Sequence, residues 1–246
     1  MSVAFEDPVA ALREFLRRSE CIKAFDLART EVARDPGNVP LRHGGVLALA
    51  RMGALEQAQR LKRLIEDLLS LSKLESLPLT KNHIEKIDIA MLVRESVEML
   101  KSSDLFKNQQ FSLNMNEGIY INGDYCELES AIQNVMDNAV KYSPEDSQIE
   151  ISWDKASEGG SLLAITDHGE GIDQVHIPRL TERFYRIDKG RSRDMGGTGL
   201  GLSIVKHVME RHGGELKIRS QKEQGTRVEL YFPEKRNVYK EQLVSA

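Results

Sequence analysis

With 246 residues, 40% of them hydrophobic and 29% charged, the chain has the composition of a soluble globular protein and room for one large domain or two of ordinary size. A formal net charge of −4 leaves no bulk basic surface for nucleic acid or anionic lipid, and no run approaches the ~18 apolar residues that a bilayer span needs. Cys21 and Cys126 lie far apart with no Cys-x-x-Cys spacing, and Glu6 and Asp7 spoil the basic-then-apolar order of a signal peptide. Disulfide frameworks and zinc sites are therefore disfavoured, and a reducing, cytoplasmic setting is expected.

The first eighty residues read as helices alone. Lys23-Ala24-Phe25-Asp26-Leu27-Ala28 is echoed by Gln57-Ala58-Gln59-Arg60-Leu61-Lys62, with the two alanines 34 residues apart, the tetratricopeptide period. Asp35-Pro36-Gly37-Asn38 falls where such repeats break, and Gly53 where their inner turn lies. Residues 1–58 thus resemble a tetratricopeptide-type segment, with an ordinary helical hairpin as the alternative. Fewer than about three repeats rarely stand alone, so this part is expected to lean on a neighbour or to dimerise. From Leu61 a stripe of Leu64, Ile65, Leu68, Leu69, Leu71 and Leu74 recurs at helical spacing and needs a partner along its length. Pro78 ends that helix; residues 59–80 read as helix and linker, the linker running from Leu77 to Lys86 into the second domain.

Residues 81–234 alternate helices and strands. A helix over 89–101 starts on Asp88; strands are expected at 111–115 and 119–121; Asp124 with Glu127 opens a helix to Val140 whose core face is Leu128, Ala131, Ile132, Val135, Met136 and Ala139. Strands at 148–153 and 162–166 follow, split by Gly159-Gly160, then an irregular stretch with a short helix near 177–183. A helix over 200–212 stops at Gly213-Gly214, and strands at 215–219 and 226–232 close the domain. The fold class is α+β, a mixed sheet with helices on one face, and residues 235–246 are left as a polar tail.

The chemistry concentrates in four places. Gly197-Thr198-Gly199-Leu200-Gly201-Leu202 runs from a glycine-dense loop into a helix, a junction whose free N–H groups and dipole suit phosphate, although no Walker Lys follows. Asn134, Asn138 and Lys141 share one face of an otherwise apolar helix; amide oxygens suit Mg²⁺ and the ammonium suits phosphate. Asp167-His168-Gly169-Glu170-Gly171 puts a carboxylate at a strand end, where it can accept from an exocyclic amine while the glycines leave room for a flat ring. Glu182-Arg183-Phe184-Tyr185-Arg186 adds cations and rings.

In this order the four motifs resemble the N, G1, F and G2 boxes of sensor histidine kinases, members of the ATPase superfamily shared with DNA gyrase, the Hsp90 chaperones and MutL. The resemblance runs from about Leu61 to Pro233. Leu180 to Lys189 and Ser70-Leu71-Ser72-Lys73-Leu74-Glu75 draw it toward the phosphate-sensing kinases of proteobacteria. It implies ATP or ADP with Mg²⁺ as ligands. Asn138 would be the metal ligand, Asn134 would lie beside it near the phosphates, and Asn134 with Arg186 would carry the catalytic roles. Lys141 would contact phosphate, Tyr142 would pack near adenine or ribose, and Asp167 would bind the adenine amino group with Thr226 supporting it through water. Gly169 and Gly171 would border the base. Arg186, Arg191 and Arg193 would belong to a lid, expected to be mobile when empty, and Gly197, Thr198, Gly199, Leu200, Gly201 and Leu202 would form its phosphate-side hinge.

Two departures qualify that resemblance. Hydrolysing relatives carry Glu four residues before the metal Asn; Asn134 cannot serve as a base for water, which favours ATP held for transfer. The acceptor string Ser-His-Glu-Leu-Arg-Thr-Pro is missing. Of His43, His83, His168, His176, His207 and His212, only His43 lies in the N-terminal helices, and it has no adjacent acid; His207 and His212 read as surface groups. The expectation is therefore a histidine kinase catalytic module that does not autophosphorylate, homodimeric through its N-terminal helices, with a cognate response regulator as partner and a parent kinase attached to the inner membrane through a part not present here. The alternative is a helical scaffold, or a fusion of foreign helices with a nucleotide-switch domain.

Overall fold

The computed structural model describes residues 7–18, 20–34, 38–76, 83–103, 106, 108–187 and 197–240. The chain divides into two compact units, one up to Arg63 and one from Leu64.

In the first unit, helix α1 (Pro8–Arg17) starts on Asp7, whose side chain accepts from the N–H groups of Val9 and Ala10, with Pro8 in the first turn. Helix α2 (Cys21–Arg34) and the start of α3 (Val39–Ser76) complete it around a small core of Leu12, Ala24, Leu27, Ala28 and Ala48. Gly44 lies against the Leu12 side chain, and Arg51 Nη1 donates to the Leu16 carbonyl at 2.7 Å. The inner turn expected at Gly53 does not exist: α3 runs through it unbroken. A lone glycine costs a helix only about 1 kcal/mol relative to alanine, and the flanking Ala50, Met52, Ala54 and Leu55 are good helix formers. The proposed repeat break at Asp35-Pro36-Gly37 lies outside the described residues.

The second unit is built on a five-stranded mixed sheet in the order β2-β4-β5-β7-β6. The strands are β2 (Gln110–Met115), β4 (Gln148–Lys155), β5 (Ser161–Asp167), β6 (Glu215–Ser220) and β7 (Thr226–Phe232). β2 runs parallel to β4; the other pairs are antiparallel. Helices α4 (Ile89–Lys101), α5 (Tyr125–Tyr142) and α6 (Gly201–Arg211) supply the apolar layer against it. Asp88 caps α4 through the Met91 N–H and Asp124 caps α5 through the Glu127 N–H. All six core positions expected on α5 are buried, and Trp153 meets Phe232 edge to face at 5.8 Å, with its Nε1–H donating to the Ile119 carbonyl. Leu71 and Leu74, on the last turns of α3, join this core.

A second sheet, β1-β3-β8, was only one-third anticipated. Strand β3 (Ile119–Gly123) is flanked antiparallel by β1 (Glu85–Ile87), expected as linker, and by β8 (Asn237–Tyr239), expected in the polar tail. Three-residue strands carry too little periodicity to read, and both form because β3 offers two open edges. The helix expected near 177–183 shortens to a 3-10 turn, Ile177–Arg179; Phe184, at φ 62°, adopts a backbone that no right-handed helix can include. No helix among the described residues is long and apolar enough to cross a membrane.

Candidate nucleotide site

The half-buried face of α5 left over from the core carries Asn134, Asn138 and Lys141. Asn134 Nδ2 donates back to the Ser130 carbonyl at 2.9 Å, which fixes the amide and leaves Oδ1 as an acceptor. Gly201, the first residue of α6, lies against that oxygen: a Cβ there would stand 2.5 Å from Asn134 Oδ1, so any side chain would push the Asn134 amide aside. A Cβ on Gly197 would likewise stand 2.9 Å from Lys141 Nζ. Asn138 makes no side-chain hydrogen bond among the described residues. The N-terminus of α6 has no side-chain cap, so its first N–H groups point out of the helix without an internal acceptor.

Asp167 ends β5 opposite Thr226 of β7 and is only 7% exposed. Its Oδ1 accepts from the N–H groups of Gly169 at 2.9 Å and of Thr226 at 3.2 Å, which leaves Oδ2 as a further acceptor. Burial pushes the carboxyl above the ordinary range, opposed by those two N–H groups and by His168. Thr226 braces Asp167 through its backbone N–H. Ser220, which sequence reasoning missed, ties the same corner together: its Oγ accepts from the Ile172 N–H at 2.8 Å, donates to the Gly225 carbonyl and bonds the Thr226 hydroxyl. A serine at a strand end before a turn gives no signal of this. Gly169 lies against the carbonyl of Tyr142, while the Tyr142 ring is exposed beneath Lys141 Nζ, 5.3 Å from its centroid.

Gly199, at φ 76°, takes a conformation that side chains rarely adopt, and its carbonyl accepts from the Phe184 N–H at 2.9 Å. Beside it Arg186 carries a buried Nη2 without a hydrogen-bond partner among the described residues. An unpartnered guanidinium nitrogen beside an uncapped helix start fits an anionic group. The Thr198 hydroxyl donates to Asp67 of α3 at 2.6 Å, and Glu75 of α3 pairs with Arg183 and His207. These acidic contacts from α3 were not foreseen, because nothing in the leucine stripe marks them. Gly171 lies against the Gln221 carbonyl, and Leu200 is fully buried while Leu202 is half-buried. Arg191 and Arg193, with the rest of the expected lid from Asp188 to Gly196, lie outside the described residues. His212, read as a surface group, is fully buried, and His207 is half-buried.

Residues 123–236 match the family described as histidine kinase-, DNA gyrase B-, and HSP90-like ATPase. The chain is 40% identical over 179 residues to the phosphate regulon sensor protein PhoR of Pseudomonas aeruginosa, a match covering 72% of this chain and 40% of that protein. It thus spans about two fifths of that relative's length. Among solved structures, the mycobacterial sensor histidine kinase MprB superposes with a TM-score of 0.54 at 29% identity, over 61% of this chain and 97% of that one. Full-length ShkA in complex with AMPPNP shares the fold, with a TM-score of 0.63 at 20% identity over 94% of this chain and 46% of that one. Residues 123–236, built around α5, β5 and α6, thus form a histidine kinase-, DNA gyrase B- and HSP90-like ATPase domain of the sensor histidine kinase type.

Proposed function

We propose that this chain binds ATP and ADP with Mg²⁺ and is the catalytic module of a phosphate-sensing type of histidine kinase, without a phosphoacceptor histidine of its own. The observation that carries the reading is the corner at Asp167, a buried carboxylate braced by two backbone N–H groups, on the same unit as an orphaned Arg186 nitrogen and an uncapped α6. Asp167 Oδ2 would take the adenine amino group; Lys141, Arg186 and the α6 N–H groups would hold phosphates, with Arg191 and Arg193 of the lid. Asn138, with Asn134 beside it, would ligate Mg²⁺, which supplies charge neutralisation on the transferring phosphoryl group. The amide of Asn134 has no basic oxygen to deprotonate water, so this chain's own residues position nucleotide and leave the nucleophile to be brought in. The AMPPNP bound by ShkA lends the ligand assignment support.

Five of the six histidines lie outside the N-terminal helices and in no acceptor string: His83 near Asp124, His168 with Glu150, His176 with Tyr185, His207 between Glu75 and Glu210, and His212 with Val208 and Asp124. His43 is exposed on α3. We further infer a homodimer through α3, a response regulator as recipient in the parent kinase, and a cytoplasmic location.

Titration of the whole chain with ATP and ADP, with and without Mg²⁺, tests the core of the reading. Asp167→Asn should weaken binding by roughly ten- to hundredfold. Because burial disfavours the Asp167 carboxylate, the amide should leave the unliganded protein as stable at neutral pH or slightly more so, which separates lost recognition from lost fold. Affinity unchanged in Asp167→Asn would overturn the adenine assignment. After incubation with Mg-ATP, mass spectrometry should find no acid-labile phosphate on any histidine; stoichiometric labelling of His43 would refute the missing acceptor.

A further inference from the structure

Where the face of the five-stranded sheet turned away from the helices meets the turn between β6 and β7, a concavity of about 290 Å³ lies over Thr166, Arg219 and Arg227, which the nucleotide reading does not use, with Thr226 on its rim. Along β7, Val228, Leu230 and Phe232 enter the core, so Arg227 and Glu229 stand on the opposite face. The pairing register puts four residues of that face in one row across the sheet: Glu150 of β4, Thr166 of β5, Arg227 of β7 and Arg219 of β6. Two arginines facing each other directly across an antiparallel pair repel, an arrangement that sheets ordinarily avoid.

The protein answers the repulsion only in part. Glu229, 7% exposed, accepts from Arg227 Nε at 2.9 Å and lies 3.5 Å from Arg219 Nη2. Its own cross-strand neighbour is Lys217, which pairs with Glu215 at 3.2 Å. Glu150, at the far end of the row, is engaged by His168 at 3.3 Å. Counting Lys217, Arg219 and Arg227 against Glu215 and Glu229, the patch between β6 and β7 keeps one positive charge in excess. Arg227 Nη1 donates to Thr166 Oγ1 at 3.3 Å, which occupies the hydroxyl as acceptor and turns its hydrogen outward as a donor. Arg219 spends one nitrogen on Glu229 and is otherwise 72% exposed at its side chain.

We propose that this row is a binding site for a small tetrahedral oxyanion of the phosphate or sulfate class. Arg219 and the remaining Nη2 of Arg227 grip it from two sides and the Thr166 hydroxyl gives a third donor, in a concavity walled by Ser220, Gln224 and Gly225. A dianion between the two guanidiniums removes the cross-strand repulsion that Glu229 alone leaves. The site draws its arginine and threonine donors from the opposite face of the sheet from Asp167, while Ser220, Gly225 and Thr226 at the strand ends border both sites.

Inorganic phosphate titrated into the full chain at constant ionic strength, followed by ¹⁵N NMR with excess ADP present to occupy the nucleotide site, tests this. Saturable shifts confined to Gln224, Gly225 and the arginine Nε signals are expected. Arg219→Ala, at an exposed position, should weaken phosphate binding about tenfold or more, and Arg219→Lys should recover part of it. A melting temperature unchanged in both variants confirms that the sheet is intact. Shifts that do not saturate, that chloride reproduces, or that survive Arg219→Ala unchanged would overturn the site, whereas shifts at Lys141 alone would assign all phosphate binding to the nucleotide face.

Discussion

His212 has no exposed surface, accepts the Asp124 N–H on Nε2 at 3.1 Å and donates from Nδ1 to the Val208 carbonyl at 2.8 Å, so both ring nitrogens are committed to the neutral form. Burial above all, with Arg236 adding to it, holds its pKa below the ordinary value, against the Val208 bond and the charges of Glu127 and Asp124. A histidine lowered on folding binds fewer protons in the native state than in the unfolded chain. Stability is therefore insensitive to this group above about pH 6.5 and falls below it, by at most about 1.4 kcal/mol per pH unit. Urea midpoints between neutral and mildly acid pH should drop, and His212→Gln should flatten that slope; an identical slope in the variant would assign the acid sensitivity elsewhere. Gly201 offers a second residue-scale test. Gly201→Ala should leave the melting temperature nearly unchanged, since alanine favours the helix start, yet lower nucleotide affinity about tenfold by displacing Asn134 Oδ1; undiminished affinity would mean that Asn134 does not touch the ligand. Asp167, Asn134 and Gly201 were all legible, because a charge, an amide pair or a glycine cluster is conspicuous in an apolar setting. His212 and Ser220 were not: their partners lie 88 and 48 residues away along the chain, and only the folded register brings Asp124 and Ile172 to them.

Among the elements, α3 presents the clearest unmet need. Leu71 and Leu74 are buried in the core of the second unit, but Leu61, Ile65, Leu68 and Leu69 remain 40 to 59% exposed. Such a stripe along one helix is costly in water and is the pattern by which helices pair into bundles. Light scattering of the intact chain should report a dimer at micromolar concentration, and Ile65→Asp with Leu69→Asp should yield a monomer of unaltered circular dichroism. A wild-type monomer at high micromolar concentration would sink this. The stripe itself was readable from its spacing, as were the caps of α4 and α5 and the whole of β7, since strong periodicity and a short-range cap signal both lie within a dozen residues. Where periodicity runs out, so did the reading. Gly53 suggested a turn that the surrounding helix formers overrode, and β1 and β8 are too short to announce themselves and owe their existence to the edges of β3.

At the scale of the molecule, the chain divides into two units, the second of which carries the family domain, and the α+β class with helices on one face of a mixed sheet was recoverable from the order of elements. The parallel pairing of β2 with β4 was not, since crossover topology depends on contacts that no local pattern encodes. The small sheet has a consequence of its own. β1 and β8 both lie antiparallel to β3, one on each side, with Glu85 opposite Gly123 at one end of β3 and Tyr239 opposite Ile119 at the other. A strand clasped on both edges by segments from far apart in the chain ties the two flanks of the domain together, so cutting the chain after Phe232 would bare one edge of β3 and loosen the whole small sheet.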